Sequence, residues 1–279
     1  MTASPLADRV GISTISFRFR PLSEALDIIT GLGAREVDLG AIPAVTDHVP
    51  VPFSGSPQEY VDALAQRALR SGAVNSDVGD LNDPALDPDS LREVGQPLID
   101  LAAATGGALI VPCGRADYAP FVDHDTDLQR IADNLRLLSA WCADSGVRLL
   151  VEVLHHKRYV HSVEVADQLL DAVGSDVFGL LFDVSHIVAS QDDPVAWARR
   201  LGSRVERVHL RDAVPGNLNV GIGRGDADFA GVIRALEEAG FTGTYILELE
   251  THDVDEADRE ADAQRSRADV LALLEAAHS

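Results

Sequence analysis

Short apolar runs separated by longer amphipathic stretches recur along the whole 279-residue chain, and this alternation limits its fold more than any other feature. The runs lie at 9–15, 35–39, 73–77, 108–111, 147–153, 178–182, 205–210 and 244–249. Most carry Val, Ile and Leu at successive positions rather than alternate ones, as a strand does when both of its faces are covered. Between them, 22–32, 57–70, 91–104, 127–144, 163–173, 195–201, 229–239 and 257–277 show apolar residues at helical spacing. The first of these has Leu22, Ala25, Leu26, Ile29 and Leu32. Gly31-Leu32-Gly33, Ser71-Gly72, Gly106-Gly107, Ser145-Gly146 and Gly240 follow such stretches and precede a strand, where helix stops belong. Pro57 and Pro194 stand where a first helical turn begins.

Successive strand–helix units require right-handed crossovers and a parallel sheet. Eight of them over residues 1–279 predict one α/β domain, a closed (β/α)8 TIM barrel. An open doubly wound sheet that bound a dinucleotide would place a glycine-rich turn directly after its first strand. Gly31-Leu32-Gly33 follows a helix instead. In a barrel of this kind the active site forms at the carboxyl ends of the strands.

Charge narrows the partners. With 23 Lys+Arg against 45 Asp+Glu the formal net charge is −22. Such a surface repels polyphosphate, which is bound through Lys/Arg neutralisation and counterion release. Neither nucleic acid nor an anionic membrane is expected as a partner. Cys113 and Cys142 are too few for a disulfide framework. The first ten residues show no basic and apolar leader segments, and no apolar run nears the roughly 20 residues of a membrane span. A cytoplasmic protein is the expectation.

Four late strands end in ligand-type residues. The fifth reads Leu149-Leu150-Val151-Glu152-Val153, and the sixth ends in Asp183, followed by Val184-Ser185-His186. The seventh ends in His209, followed by Leu210-Arg211-Asp212, and the eighth reads Tyr245-Ile246-Leu247-Glu248. Each alone is ambiguous: a strand glutamate usually faces water, and a lone histidine is more often structural. Together they bring three carboxylates and an imidazole to one rim, where ionised acids are costly unless paired or bound to metal. Mixed O/N ligands suit Mn2+, Mg2+, Co2+ or Zn2+.

At these residues the chain resembles the xylose isomerase-like superfamily of sugar isomerases, epimerases and related lyases, the AP endonuclease family 2 group. The matching pieces are 146–152 (GVRLLVE), Asp183-Val184-Ser185-His186, His209-Leu210-Arg211-Asp212, 221–229 (GIGRGDADF) and 241–248 (FTGTYILE). Residues 11–15 and 33–40 are similar to its first two strands. The resemblance implies metal ligands at Glu152, Asp183, His209 and Glu248, with Mn2+ as the expected ion. It also implies acid and base roles for Glu152 and Glu248 and a substrate contact at His186. The implied reaction is proton transfer through a metal-stabilised enediolate of a ketose, a sugar phosphate or a related polyhydroxy compound. The implied partners are a sugar or polyhydroxy acid and further copies of the chain in a homo-oligomer.

The chain departs from the family's pattern in places. Family epimerases commonly follow the first glutamate with an Asn-Arg pair and another glutamate that binds substrate; here the loop reads Leu154-His155-His156-Lys157-Arg158. The arginine those enzymes place after the seventh-strand histidine falls on Pro215, leaving Arg211 or Arg224 as candidates to replace it. These changes shift the expectation from a plain ketose toward a substrate with a carboxylate, phosphate or extended polar group. His155 heads a loop, His155-His156-Lys157-Arg158, that either binds an anion or supplies a general acid, or is simply solvated. Arg18 and Arg20 either face the mouth or form surface ion pairs. Asp38 is placed to accept a hydrogen bond in support of the site, and Cys113 reads as a buried small residue.

The apurinic endonucleases of the endonuclease IV group share the Asp183–His186 step but need further histidines on early strands, and here 226–228 reads Asp-Ala-Asp. A lyase of the same superfamily, dehydrating inosose or dehydroshikimate or cleaving a C-glycoside, is the alternative to an isomerase. A non-catalytic barrel is disfavoured by the full ligand set.

Overall fold

The structure, a computed structural model, describes residues 5–43, 45–174 and 176–279. Its strands are β1 (Val10–Ser13), β2 (Glu36–Ala41), β3 (Arg70–Ser76), β4 (Ala108–Pro112), β5 (Leu149–Glu152), β6 (Gly179–Asp183), β7 (Val205–Leu210), β8 (Asp212–Val214), β9 (Asn217–Val220) and β10 (Tyr245–Leu247). The helices are α1 (Leu22–Gly31), α2 (Pro57–Ala65), α3 (Pro88–Thr105), α4 (His124–Asp144), α5 (Val163–Val173), α6 (Val184–Ala189), α7 (Pro194–Leu201), α8 (Phe229–Glu238) and α9 (Arg259–Ala277). Eight parallel strands close in the order β1-β10-β7-β6-β5-β4-β3-β2, with Val10 opposite Tyr245 at the seam and β8-β9 as a separate antiparallel hairpin. The predicted TIM barrel is the observed one.

Every residue of β1, β5 and β6 is buried, which accounts for their unbroken apolar reading. One side packs under the helices in the main core, and Ala73, Ile110, Leu150 and Leu181 form a second, smaller apolar cluster. Each fully buried Leu or Ile stabilises the fold by about 1.5–3 kcal/mol. Part of the acidic surplus serves as helix caps. Asp87, Asp123, Asp193 and Asp228 each accept a backbone N–H in the first turn of α3, α4, α7 and α8. Among the described residues no helix is long and apolar enough to cross a membrane.

Three sequence expectations change. The helix expected over 57–70 ends at Ala65, Ala68 takes a left-handed φ of 52°, and β3 begins at Arg70. Ser71-Gly72 therefore lies inside a strand, held by pairing of Glu36 with Arg70 and Val37 with Ser71. Gly72 is a matter of space rather than a stop: a Cβ there would run into the guanidinium of Arg207. The other two changes are α6 and the β8-β9 hairpin, both short elements built on the loops after strands.

Candidate metal centre at the barrel mouth

The strand period of two sets the site. On β7, Arg207 and His209 point into the barrel and Arg211 follows in the same phase, all three nearly fully buried. On β2, Glu36 and Asp38 do the same from across the barrel. Arg207 Nε and Nη2 donate to the two oxygens of Asp38 at 2.7 and 2.5 Å, and Arg207 Nη1 lies 3.0 Å from Glu36 Oε1. His209 Nε2 is 2.9 Å from Asp38 Oδ2, an atom that can only accept, so this nitrogen carries the proton. Burial works to raise the Asp38 carboxyl, but Arg207 and His209 outweigh it and hold it below the usual carboxylate range.

With Nε2 committed downward, His209 Nδ1 faces the mouth, 3.4 Å from Glu248 Oε1. Asp183 divides its two oxygens in the same manner. Oδ1 caps α6, accepting from the Ser185 N–H at 2.8 Å and the Ser185 hydroxyl at 2.6 Å. Oδ2 is buried and, like His209 Nδ1, has no hydrogen-bond partner among the described residues. Ligand atoms of Asp183, His209 and Glu248 lie within 4.8 Å of one another. Buried polar atoms left without a partner cost roughly 1–3 kcal/mol each, and a divalent cation between them would satisfy both, displacing the proton that His209 otherwise holds on Nδ1. The donor set, two carboxylates and an imidazole oriented by a carboxylate behind it, fits such an ion. Burial lowers the tendency of His209 to carry charge, but Glu248 and Asp38 outweigh it and raise its pKa to about 10. The same negative field would draw a metal ion.

Glu152, at the end of β5, faces this trio. Its Oε1 is 3.3 Å from His186 Nε2, and its Oε2 is 3.7 Å from His155 Nε2. Glu152, His155 and His186 form a second group of ligand-type atoms within 4.8 Å of one another. Burial, then the charges of Asp183 and Glu248, push the Glu152 carboxyl well above its ordinary range. Burial and neighbouring positive charge hold His155 and His186 well below theirs. Asn75 of β3 donates to Glu248 Oε1 at 2.8 Å. Buried Arg211 lies 3.1 Å from Glu250 Oε2, and its Nη2 stands 3.8 Å from Asp183 Oδ2 and 4.0 Å from Glu248 Oε2. A cavity of about 250 Å³ opens over these groups, walled by Ile15 and Leu218 and bordered by His155, His186 and Asn219.

Of the predicted residues, Glu152, Asp183, His209, Glu248, His186 and His155 meet at one mouth. Arg224 does not. It lies 2.7 Å from Asp253 and 3.1 Å from Asp262, lining a different surface hollow, because the turn through Gly223 carries it toward α9. Arg211 occupies the place beside the mouth instead. Other candidate cations are also engaged. Arg158 is paired with Asp77 and donates to the Gly114 carbonyl at 3.0 Å, and Arg20 pairs with Glu24 and Glu256 at 2.9 and 2.7 Å. Arg18 lies over the Phe19 ring. Cys113 is fully buried, and burial raises its thiol far above the normal range. Asp212 accepts N–H groups of Gly223, Gly225 and Ala227, so the acid after the seventh-strand motif folds the 221–229 turn. Sequence reasoning missed Arg207 and Asn75; the only signal was a polar side chain inside an apolar run.

Fold and site together define a closed parallel barrel with a carboxylate–imidazole cluster at its carboxyl-terminal rim. The family model of the xylose isomerase-like TIM barrel matches residues 30–273, and the chain belongs to that family. Among curated proteins, inosose dehydratase of Clostridium perfringens (strain 13 / Type A) is 26% identical over 157 residues, 47% of this chain and 50% of the relative. The chain thus spans about half the length of that relative. A solved L-ribulose 3-epimerase superposes with a TM-score of 0.77 at 19% identity, covering 97% of this chain and 95% of that one. The IOLI protein with a bound zinc atom gives 0.76 at 16% identity, covering 95% and 98%. At these identities the structural likeness speaks for the fold.

Proposed function

We propose that the chain is a divalent-metal-dependent enzyme that moves a proton on a polyhydroxy carbonyl compound, an isomerase or epimerase of a ketose or related sugar. The observation that carries this reading is the pair of orphaned buried atoms, Asp183 Oδ2 and His209 Nδ1, aimed at the place where Glu248 and Glu152 also converge. Asp183, His209, Glu248 and Glu152 would hold the ion, with Mn2+ first and Mg2+, Co2+ or Zn2+ as the other candidates. When bound, such an ion supplies Lewis-acid polarisation of a carbonyl, which acidifies the adjacent C–H. Glu152 stands at the mouth with Oε1 3.3 Å from His186 Nε2, within reach of a substrate C–H from which it would take and return a proton. Asn75 steadies Glu248 for the partner role. His186 offers an N–H toward substrate oxygen, and Ile15 and Leu218 limit water at the reacting carbons. A small sugar-sized molecule matches a cavity of about 250 Å³.

A lyase outcome is the second reading, favoured by likeness to inosose dehydratase over half of that relative's length. Here the same proton abstraction ends in loss of water. In D2O with D-tagatose or D-fructose, an epimerase incorporates deuterium with the carbon skeleton and oxygen count conserved, whereas a dehydratase releases water. Glu152→Gln or Glu248→Gln lowers turnover by at least about 10³-fold if both carboxyls move the proton; full activity in either variant removes the mechanism. The assembly is read as a homo-oligomer, which light scattering decides.

A further inference from the structure

Two stacked histidines at the mouth are locked in opposite tautomers by the main chain of one residue. The rings of His155 and His186 lie 3.9 Å apart between centroids, tilted by 39°. His155 Nδ1 is 2.8 Å from the carbonyl oxygen of His156. A carbonyl only accepts, so Nδ1 bears the proton and Nε2 is left with a lone pair. The backbone N–H of the same residue, His156, points to His186 Nδ1 at 2.9 Å. A peptide N–H only donates, so this nitrogen holds the lone pair and Nε2 carries the proton. The other contacts of the two Nε2 atoms divide. His186 Nε2 is 3.3 Å from Glu152 Oε1, close enough for a protonated nitrogen to be favoured, whereas His155 Nε2 stays 3.7 Å from Glu152 Oε2, too far for a hydrogen bond. Arg211 Nη2, which only donates, lies 3.4 Å from His186 Nε2 and competes for the ring's single lone pair, so the shorter bond from the His156 N–H at 2.9 Å decides the tautomer.

We propose that His155 presents a hydrogen-bond acceptor to a substrate hydroxyl while His186 beside it presents a donor to a neighbouring oxygen. The pair then reads the direction of an α-hydroxy-carbonyl unit. His155 and His186 both border the cavity, and each offers a ring nitrogen to a group of ligand-type atoms within 4.8 Å of one another, a span that two oxygens on adjacent carbons can bridge. The same tautomers separate the two ligand-type groups. His209, its Nε2 fixed on Asp38, turns Nδ1 toward Asp183 and Glu248 and would offer that nitrogen's lone pair to an ion that displaces its proton, whereas His186 turns an N–H toward Glu152 and offers no lone pair to an ion. Glu152, His155 and His186 therefore do not make a second metal site. The substrate part of this inference rests on the sugar reading above; the tautomers do not.

The test uses the full chain, labelled with 15N-histidine and loaded with diamagnetic Mg2+, and long-range 1H–15N correlation near neutral pH. His155→Phe and His186→Phe assign the signals. The expected spectrum has the His155 proton on Nδ1 and the His186 proton on Nε2. A proton on His155 Nε2, on His186 Nδ1, or on both nitrogens of either ring overturns the proposal. Titration with D-tagatose supplies the second arm. His155→Phe keeps the ring but deletes the acceptor, and weakens binding at least about tenfold, while His155→Gln restores part of the loss. Unchanged affinity in His155→Phe overturns the acceptor role. A wild-type protein that takes up neither D-tagatose nor D-fructose sinks the sugar reading, while the spectrum still decides the tautomers.

Discussion

His209 can face a metal only because something holds its other nitrogen. Asp38 does so at 2.9 Å, and Asp38 is in turn held by Arg207 at 2.7 and 2.5 Å. Groups that orient a ligating histidine typically change metal affinity 10–100-fold when lost. Arg207→Met is expected to weaken Mn2+ binding by about that factor in isothermal titration, with Asp38→Asn as the milder companion that keeps side-chain shape. Wild-type affinity in both folded variants would show that the chain from β2 to β7 is merely structural. Asp38 was readable in the sequence as an acid near a strand end. Arg207 was not, because a single arginine in an apolar run is equally well a surface residue, and only closure of the ring brings β2 within reach of β7, two strands between them.

Elements show the same division of labour. Asp183 ends β6 and caps α6 with one oxygen while the other faces the mouth, so its two duties can be separated. Asp183→Asn retains a capping oxygen and loses the ligand charge; Asp183→Ala loses the cap as well, at a further cost of about 1 kcal/mol. Metal titration should fall in both variants, and chemical denaturation should distinguish them. Away from the mouth, Glu237 of α8 ties three elements together through Arg9 and Tyr245, at 2.8 and 2.7 Å, and His278 at 2.8 Å. Burial works to raise its carboxyl, but Arg9, Tyr245 and His278 outweigh it and hold it below the ordinary value of 4.5. A depressed carboxyl stabilises the fold above its unfolded pKa, and that stabilisation is lost as pH falls through the lower folded value. Glu237→Gln therefore costs about 2 kcal/mol near neutral pH, and the difference from wild type closes in acid. A constant difference across that range would place the effect elsewhere. The helices α1 and α5 were legible to within a residue because their periodicity is strong. The hairpin β8-β9 and the short α6 were not, since three to six residues are too few to show a period.

At the scale of the molecule, the first and last barrel strands pair, Val10 with Tyr245 and Ile12 with Leu247, so β1 and β10 share one core. The expectation of one domain over 1–279 is tested by scanning calorimetry, where it predicts a single cooperative transition with calorimetric and van't Hoff enthalpies in agreement. Two resolved transitions would divide the chain. By itself the sequence determined the repeating strand–helix rhythm, hence the barrel, and the residue types at the ends of late strands, because burial of both strand faces and placement of ligands at strand termini are local facts written in order along the chain. Tertiary structure alone decided that Arg224 turns to Asp253 and Asp262 and Arg158 to Asp77, that Arg211 sits at the mouth, and which nitrogen each histidine offers. Those outcomes depend on partners up to 171 positions apart, as for Asp38 and His209, and a charge or an imidazole carries no local mark of the partner that closure of the barrel will bring to it.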